Sequence, residues 1–378
     1  METLAFLQAL RQDENSENAP KTSIFIEELS RLRAFRFHGT DQEPRLEEVP
    51  RPLPASGEAL LRVHTVGVCG SDLHILEGHT PVGFTPITLG HEIAADVVEL
   101  GEGAAASGVA VGDRVFVNPV VGCGACEHCA LAETNLCPDK RIIGIHREGC
   151  LAEFGVAPVA NLTVMPDDVD PAEIALIESA GTANHALREL GLEGHEHPTI
   201  ALIGAGGLGS QVLQLALWRG MQVVVLDASD QALERAARAG ASATLNSVRH
   251  PDPLAALLEL AGSHLDGVVD CVGFPSTAEL GLSALKPGRT LSIVGIGGDA
   301  LRTTPPAHFI RRSLKIAAIY AYTARDIADV CRAVVERAVT LSDPGNRRFA
   351  LSDIDEALAL FSDNRQAPAR VLIEMSQE

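Results

Sequence analysis

Eight cysteines stand at positions 69, 123, 126, 129, 137, 150, 271 and 331, and half of them fall within fifteen positions. Cys123, Cys126, Cys129 and Cys137 read C-x2-C-x2-C-x7-C. Four thiolates so spaced can close a tetrahedral zinc site with no open position, which braces a loop and performs no chemistry. An iron–sulfur run competes, because Pro138 follows Cys137, but the last interval here is longer than that pattern uses. Four unligated core cysteines are the third reading. His128, inside the lobe, reads as a surface residue.

A second set mixes soft and borderline donors. Cys69-Gly70-Ser71-Asp72-Leu73-His74 is followed about twenty positions later by Gly90-His91-Glu92. Cys69 and His91 suit zinc. Taken singly, each reads as a buried cysteine or a core histidine with its hydrogen bonds met.

A third set is backbone. The apolar run 199–203 enters Gly204-Ala205-Gly206-Gly207-Leu208-Gly209 and then a helical stretch. GxGxxG alone is a weak signal, but a strand before it and a helix after it make a dinucleotide site. Gly204 allows the tight turn, Gly206 lets a pyrophosphate approach the backbone, and Gly209 lets helix and strand pack closely. Gly207 and Leu208 open the helix, whose free N–H groups suit phosphates. Asp227 ends the next apolar run. A carboxylate there accepts hydrogen bonds from ribose hydroxyls and repels a 2′-phosphate. No Arg or Lys immediately follows, which favours NAD over NADP. The plain alternative is a solvated Asp after a buried strand.

The elements that must position these groups change character along the chain. From about Leu32 to Leu190, short apolar runs such as 59–63 and 114–117 alternate with Gly and Pro, which predicts a mostly β region. Beyond Pro198, strands are predicted at 199–203, 221–227, 243–245, 267–272, 290–296 and 314–319. Helices are predicted at 208–219, 229–239, 253–261 and 276–285, with Gly220 and Gly240 where C-caps would fall. This alternation implies a parallel, doubly wound α/β sheet. Residues 320–378 read as mainly helical with a closing strand-like run, 370–373. The polar run 11–18 has no periodicity, so 1–31 is read as an appended arm.

The 378 residues are 46% hydrophobic and 21% charged, which excludes a disordered chain. Against 30 Lys and Arg stand 50 Asp and Glu, a net charge of −20. Such a chain is repelled by nucleic acid and by anionic membranes, and a nucleic-acid-binding zinc knuckle is disfavoured. No apolar run reaches the roughly 18 residues of a spanning helix. Met1 to Leu7 lacks the basic start of a secretory signal, so a cytoplasmic protein is expected. In that reducing compartment, clustered cysteines point to metal.

The order of these motifs resembles the zinc-dependent medium-chain dehydrogenase/reductase family, and within it the alcohol and polyol dehydrogenases. The resemblance runs from about Leu32 to the C-terminus. It implies a Rossmann domain at 181–319 and a mostly β, GroES-like catalytic domain at 32–180, with a zinc lobe at 118–140 and residues 320–378 returning to it. Cys69 and His91 then resemble catalytic zinc ligands. Asp72 resembles the carboxylate that orients the histidine ligand. Ser71 resembles the hydroxyl that takes the substrate proton, and His74 the end of its relay. Glu92 would bind zinc in some states. Glu178 would be the third ligand, with Cys150, 28 positions earlier, as its competitor. Arg370 resembles an arginine near the cofactor pyrophosphate. Two zinc ions per chain, NAD and a small alcohol or carbonyl substrate are implied, with hydride passing between a secondary alcohol or polyol and the nicotinamide. A homo-oligomer, tetramer or dimer, is implied through nucleotide-domain edges, with 289–296 as the candidate edge. Two alternatives stay open: a specialised dehydrogenase of a cyclic alcohol or acyl thioester, and a catalytically silent zinc-binding member. Tyr320, Tyr322, His195 and His197 are assigned no chemistry.

Overall fold

The computed structural model describes residues 31–301, 305–343, 345–363 and 370–375. The appended arm, Arg31 excepted, lies outside the described residues. Strand Glu58–Val68 is the spine of the first domain. It pairs antiparallel with Glu92–Leu100, with Phe154–Pro158 and with Val371–Glu374. Alternate residues such as Leu61, Val63 and Val66 bury one face against Ile93, Val115 and Ile373. The C-terminal strand therefore lies in the sheet that carries Cys69 and His91 at its end.

The second domain is a six-stranded parallel sheet. Its order is Ala243–Asn246, Gln222–Asp227, Thr199–Ile203, Leu265–Asp270, Leu285–Ile293 and Lys315–Ala318. Thr199–Ile203 is central, pairing with a strand on each side. The topological switch point is therefore its C-terminal end, where Gly204 begins. Helices Pro253–Ala261 and Pro275–Ala284 open with proline in the first turn, which suits the fixed φ of that residue.

The predicted strands form within a few residues, with one departure of consequence. Leu285–Ile293 starts earlier than expected because helix Pro275–Ala284 runs directly into it. It is also not an edge. Lys315–Ala318 pairs outside it, so the edges among the described residues are Lys315–Ala318 and Ala243–Asn246.

One apolar core joins both domains. It runs from Ala94 and Phe116 through Ile177 and Leu187 of helix Ile177–Arg188 to Leu202, Val212 and Val223. Helix Ala324–Val335 packs on the same helix through the ion pair of Arg188 with the buried Asp326 at 2.9 Å. No helix among the described residues is long and apolar enough to cross a membrane.

Candidate active site

Strand Glu58–Val68 stops at Val68, and Cys69 caps helix Gly70–Leu76. One carboxylate then fixes two ligand candidates. Asp72 Oδ2 accepts the Cys69 backbone N–H at 2.9 Å, and Oδ1 stands 3.5 Å from His91 Nδ1. Donor atoms of Cys69, His91 and Glu92 all lie within 4.8 Å of one another. Burial alone would push the His91 imidazole down, but the Asp72 carboxylate and the Cys69 thiol hold its pKa well above the ordinary range. That is a pocket that attracts positive charge.

Glu92 owes its place to two residues far away in sequence. A Cβ at Gly67 would overlap the Glu92 carboxylate, so only glycine leaves room for it. Arg370 Nη2 donates to both Glu92 oxygens at 2.8 Å and also to Ser179 Oγ. Arg370, expected beside a pyrophosphate, is 4% exposed and engaged with Glu92, although it also lines the cleft.

Glu178 was expected in the ligand shell, but it stands outside the cluster that Glu92 joins. It sits in the first turn of helix Ile177–Arg188 and lines the same cleft. Burial pushes its pKa up to about 7, with Glu92 adding, against the pull of His91, Tyr322 and Arg370. Of the two carboxylates, Glu92 is neutralised by Arg370, and Glu178 on the cleft wall is open to a metal or a proton. Cys150 is excluded as the alternative ligand. It is buried in the first-domain core, and burial pushes its thiol up to about 12.

Tyr322 is a functional neighbour that the sequence did not reveal. It is fully buried beside Glu178, and its hydroxyl donates to Asn118 Oδ1 at 3.2 Å. Burial and the nearby Glu178 carboxylate keep it protonated. No local motif surrounds Tyr322, Gly67 or Ser179, so only the fold exposes their roles.

The cleft measures about 330 Å³ and lies between the domains. Cys69, Ser71, His74, His91 and Glu178 line one side, and Gly207, Leu208, Val294 and Ile296 the other. Ser71 and His74 are three apart on helix Gly70–Leu76, so they share a face.

The glycine-rich turn has the geometry of a phosphate cradle. Gly204 has φ +89°, and a Cβ at Gly209 would overlap the Gly204 carbonyl. A Cβ at Gly206 would meet nothing within 4 Å, so that face of the turn is open to a ligand. Helix Gly207–Trp218 starts here with free N–H groups. Asp227 Oδ2 accepts from Ala205 N at 2.7 Å and Oδ1 from Ser229 N at 2.8 Å, which holds the carboxylate beside the turn.

The lobe cysteines come together as a second cluster, all four sulfurs within 4.8 Å of one another. Cys123 and Cys129 sulfurs are 4.0 Å apart, close to the roughly 3.8 Å required by a tetrahedron with Zn–S bonds of about 2.3 Å. The Ala125 and Cys126 backbone N–H groups, with Cys137, lower the Cys123 thiol to about 7. The thiolate form that a metal needs is thus favoured. His128 pairs with Glu133 at 3.2 Å instead of joining the cluster. Beyond bracing itself, the lobe steadies the cleft. Asn135 Nδ2 donates to the Tyr320 carbonyl at 2.9 Å, and Lys140 Nζ sits 5.1 Å from the Tyr320 ring centroid.

Both donor sets fit zinc: one open, with a thiolate, an imidazole and carboxylates, and one closed, with four thiolates. Residues 55–167 match the alcohol dehydrogenase GroES-like domain, and residues 207–336 match the zinc-binding dehydrogenase domain. L-galactonate-5-dehydrogenase of Escherichia coli is 30% identical over 305 residues, covering 81% of this chain and 88% of that one. The solved acetophenone reductase of Geotrichum candidum, in complex with NAD, is 28% identical with a TM-score of 0.79 and covers 91% of this chain and 97% of that one. A zinc-binding dehydrogenase from Sinorhizobium meliloti, solved bound to NADP, is 26% identical with a TM-score of 0.82 and covers 91% and 99%. The chain belongs to the zinc-dependent medium-chain dehydrogenase/reductase family and is an oxidoreductase of its alcohol and polyol dehydrogenase class.

Proposed function

We propose that this enzyme interconverts a secondary alcohol bearing apolar substituents and its ketone, with NAD as hydride carrier. The observation that carries the substrate class is the cleft lining. Apart from the metal and proton-handling groups, its wall is built largely from Val120, Ile142, Ile145, Ile296, Ile319 and Phe361. Ser179 and Arg370, two polar groups there, already bond to each other. A polyol would bury hydroxyls against this wall unpaired, at about 1–3 kcal/mol each. Apolar substituents instead gain about 25 cal/mol for each Å² buried. The likeness to a protein named for an aryl ketone supports the same reading.

Zinc held by Cys69, His91 and a carboxylate would supply the Lewis acidity that makes an alcohol a hydride donor. The chain's own groups do the rest. Asp72 sets the angle of His91 and of the Cys69 backbone. Ser71 takes the alcohol proton, and His74, on the same helix face, passes it on; imidazole suits that task near neutral pH. Glu178 and Glu92 share the third-ligand role, and the Arg370 contact weakens Glu92 as a donor. Asp227 receives the adenosine ribose hydroxyls and repels a 2′-phosphate. The enzyme then holds two zinc ions per chain and works in the cytoplasm as a homo-oligomer built on edge Lys315–Ala318. Ile310, 71% exposed, precedes that edge by five positions and suits an apolar contact.

The test is kcat/KM with NAD for 1-phenylethanol and 2-heptanol against sorbitol and glycerol. The apolar alcohols should win by at least about tenfold. Equal or better turnover of sorbitol would overturn the substrate class, and a preference for NADP would overturn the role of Asp227.

A further inference from the structure

A larger cavity, about 620 Å³, lies away from the substrate cleft. Its walls come from both domains. Helix Gly207–Trp218 contributes Ser210 and Gln214, and helix Asp230–Arg238 contributes Gln231, Arg235 and Arg238. The facing wall is formed by Thr340, Ser342, Asp343 and Gly345 with Arg347 and Leu360. Gln231, Arg235 and Arg238 share one helix face, as do Ser210 and Gln214 on theirs.

The charge lining this cavity is mostly positive. Among the described residues, the guanidinium groups of Arg235, Arg238 and Arg347 have no hydrogen-bond or carboxylate partner. Several other arginines are matched to acids, as Arg188 is to Asp326 and Arg348 to Asp170 and Glu374, whereas Arg51 lies over the Phe154 ring. What sets this site apart is convergence: three unmatched arginines, of which Arg238 and Arg347 reach solvent, share one cavity in a chain of net charge −20. Asp343 is the acid in the lining, and its Oδ1 is turned into its own loop, accepting from Gly345 N at 2.6 Å. Gln214 and Gln231 add amide donors that no protein group uses among the described residues.

We propose that this cavity binds a small anion carrying two or more phosphate charges, at a site separate from the substrate cleft. Guanidinium forks are the side chains best shaped for phosphate oxygens, and three of them can share a pyrophosphate-sized ligand. Because the walls belong to different domains, the bound anion ties one to the other. A narrow inner extension reaches Ala205, beside the glycine-rich turn. On the other wall, Arg347 N donates to the Arg370 carbonyl at 2.9 Å, and Arg370 holds Glu92. Occupation therefore couples to the cofactor turn and to the metal centre, and the coupling is reciprocal.

Inorganic pyrophosphate is the first probe and ATP the second, each titrated calorimetrically into the zinc-loaded full chain, alone and saturated with NAD. Sodium sulfate at equal ionic strength controls for general screening. One site per chain is expected, present with NAD bound, and binding of both probes means that the phosphate moiety is read whatever carries it. R235A/R238A and R347A should each weaken it by roughly 10- to 100-fold, as expected for lost charge-assisted hydrogen bonds, while melting temperatures stay close to wild type. R347K should retain part of the affinity. Absence of binding, unchanged affinity in the variants, or displacement of pyrophosphate by NAD overturns the proposal. So does loss of NADP affinity in R235A/R238A with pyrophosphate silent, since the arginines would then belong to the cofactor site. None of these readouts depends on turnover, so the alcohol substrate can be wrong while this site stands.

Discussion

Asp72 does two jobs with one carboxylate, and removing either changes the metal more than the fold. D72N keeps the shape but weakens both the Cys69 backbone bond and the push on His91. Catalytic-metal affinity should fall by about 10- to 100-fold, with the lobe metal retained. Metal analysis after mild chelation reads this directly, and loss of both ions at once would contradict it. S71A should lower kcat by roughly 10²- to 10⁴-fold with little change in metal content, measured by steady-state kinetics. At this scale the sequence exposed Cys69, His91 and the lobe cysteines, because their ligand types and short spacings are local. It placed Glu178 ahead of Glu92 as third ligand only through the family resemblance. The ranking itself depends on Gly67 leaving space and on Arg370 arriving from 278 positions away, and neither contact has a local signature.

Secondary elements were legible where a period and a punctuating residue coincide. The nucleotide-domain strands and helices show this, with proline or glycine marking most ends. The edge assignment failed because edge status is a property of the neighbouring strand. Lys315–Ala318 adds to the sheet in parallel, and nothing within 289–296 announces it. Two elements carry sharp tests. G209A places a methyl into the Gly204 carbonyl, so the turn must shift. A cost of about 1–3 kcal/mol and a collapse of NAD affinity are expected, read by thermal melts and calorimetry. D326A leaves Arg188 without its partner between two packed helices. Because Arg188 still reaches water, the cost should fall near the lower end of a broken buried pair, about 2–3 kcal/mol by denaturant unfolding.

For the whole molecule, the lobe links metal to cleft shape. Asn135 and Lys140 hold Tyr320, which lines the substrate wall. C126S should therefore remove one zinc, lower the melting temperature, and raise KM for apolar alcohols more than it lowers kcat. An unchanged KM would separate the lobe from the cleft. I310D should shift the oligomer toward monomer in light scattering without moving the far-UV spectrum.

The bond from Arg370 to Glu92 also sets an order of events during synthesis. The lobe cysteines all leave the ribosome before residue 140, so that cluster can capture its ion while most of the chain is unmade. The guanidinium that restrains Glu92 follows it by 278 positions. Full assembly of the reactive centre must therefore wait until Arg370 has emerged, and a chain cut short before it would carry the bracing ion with an unfinished hearth.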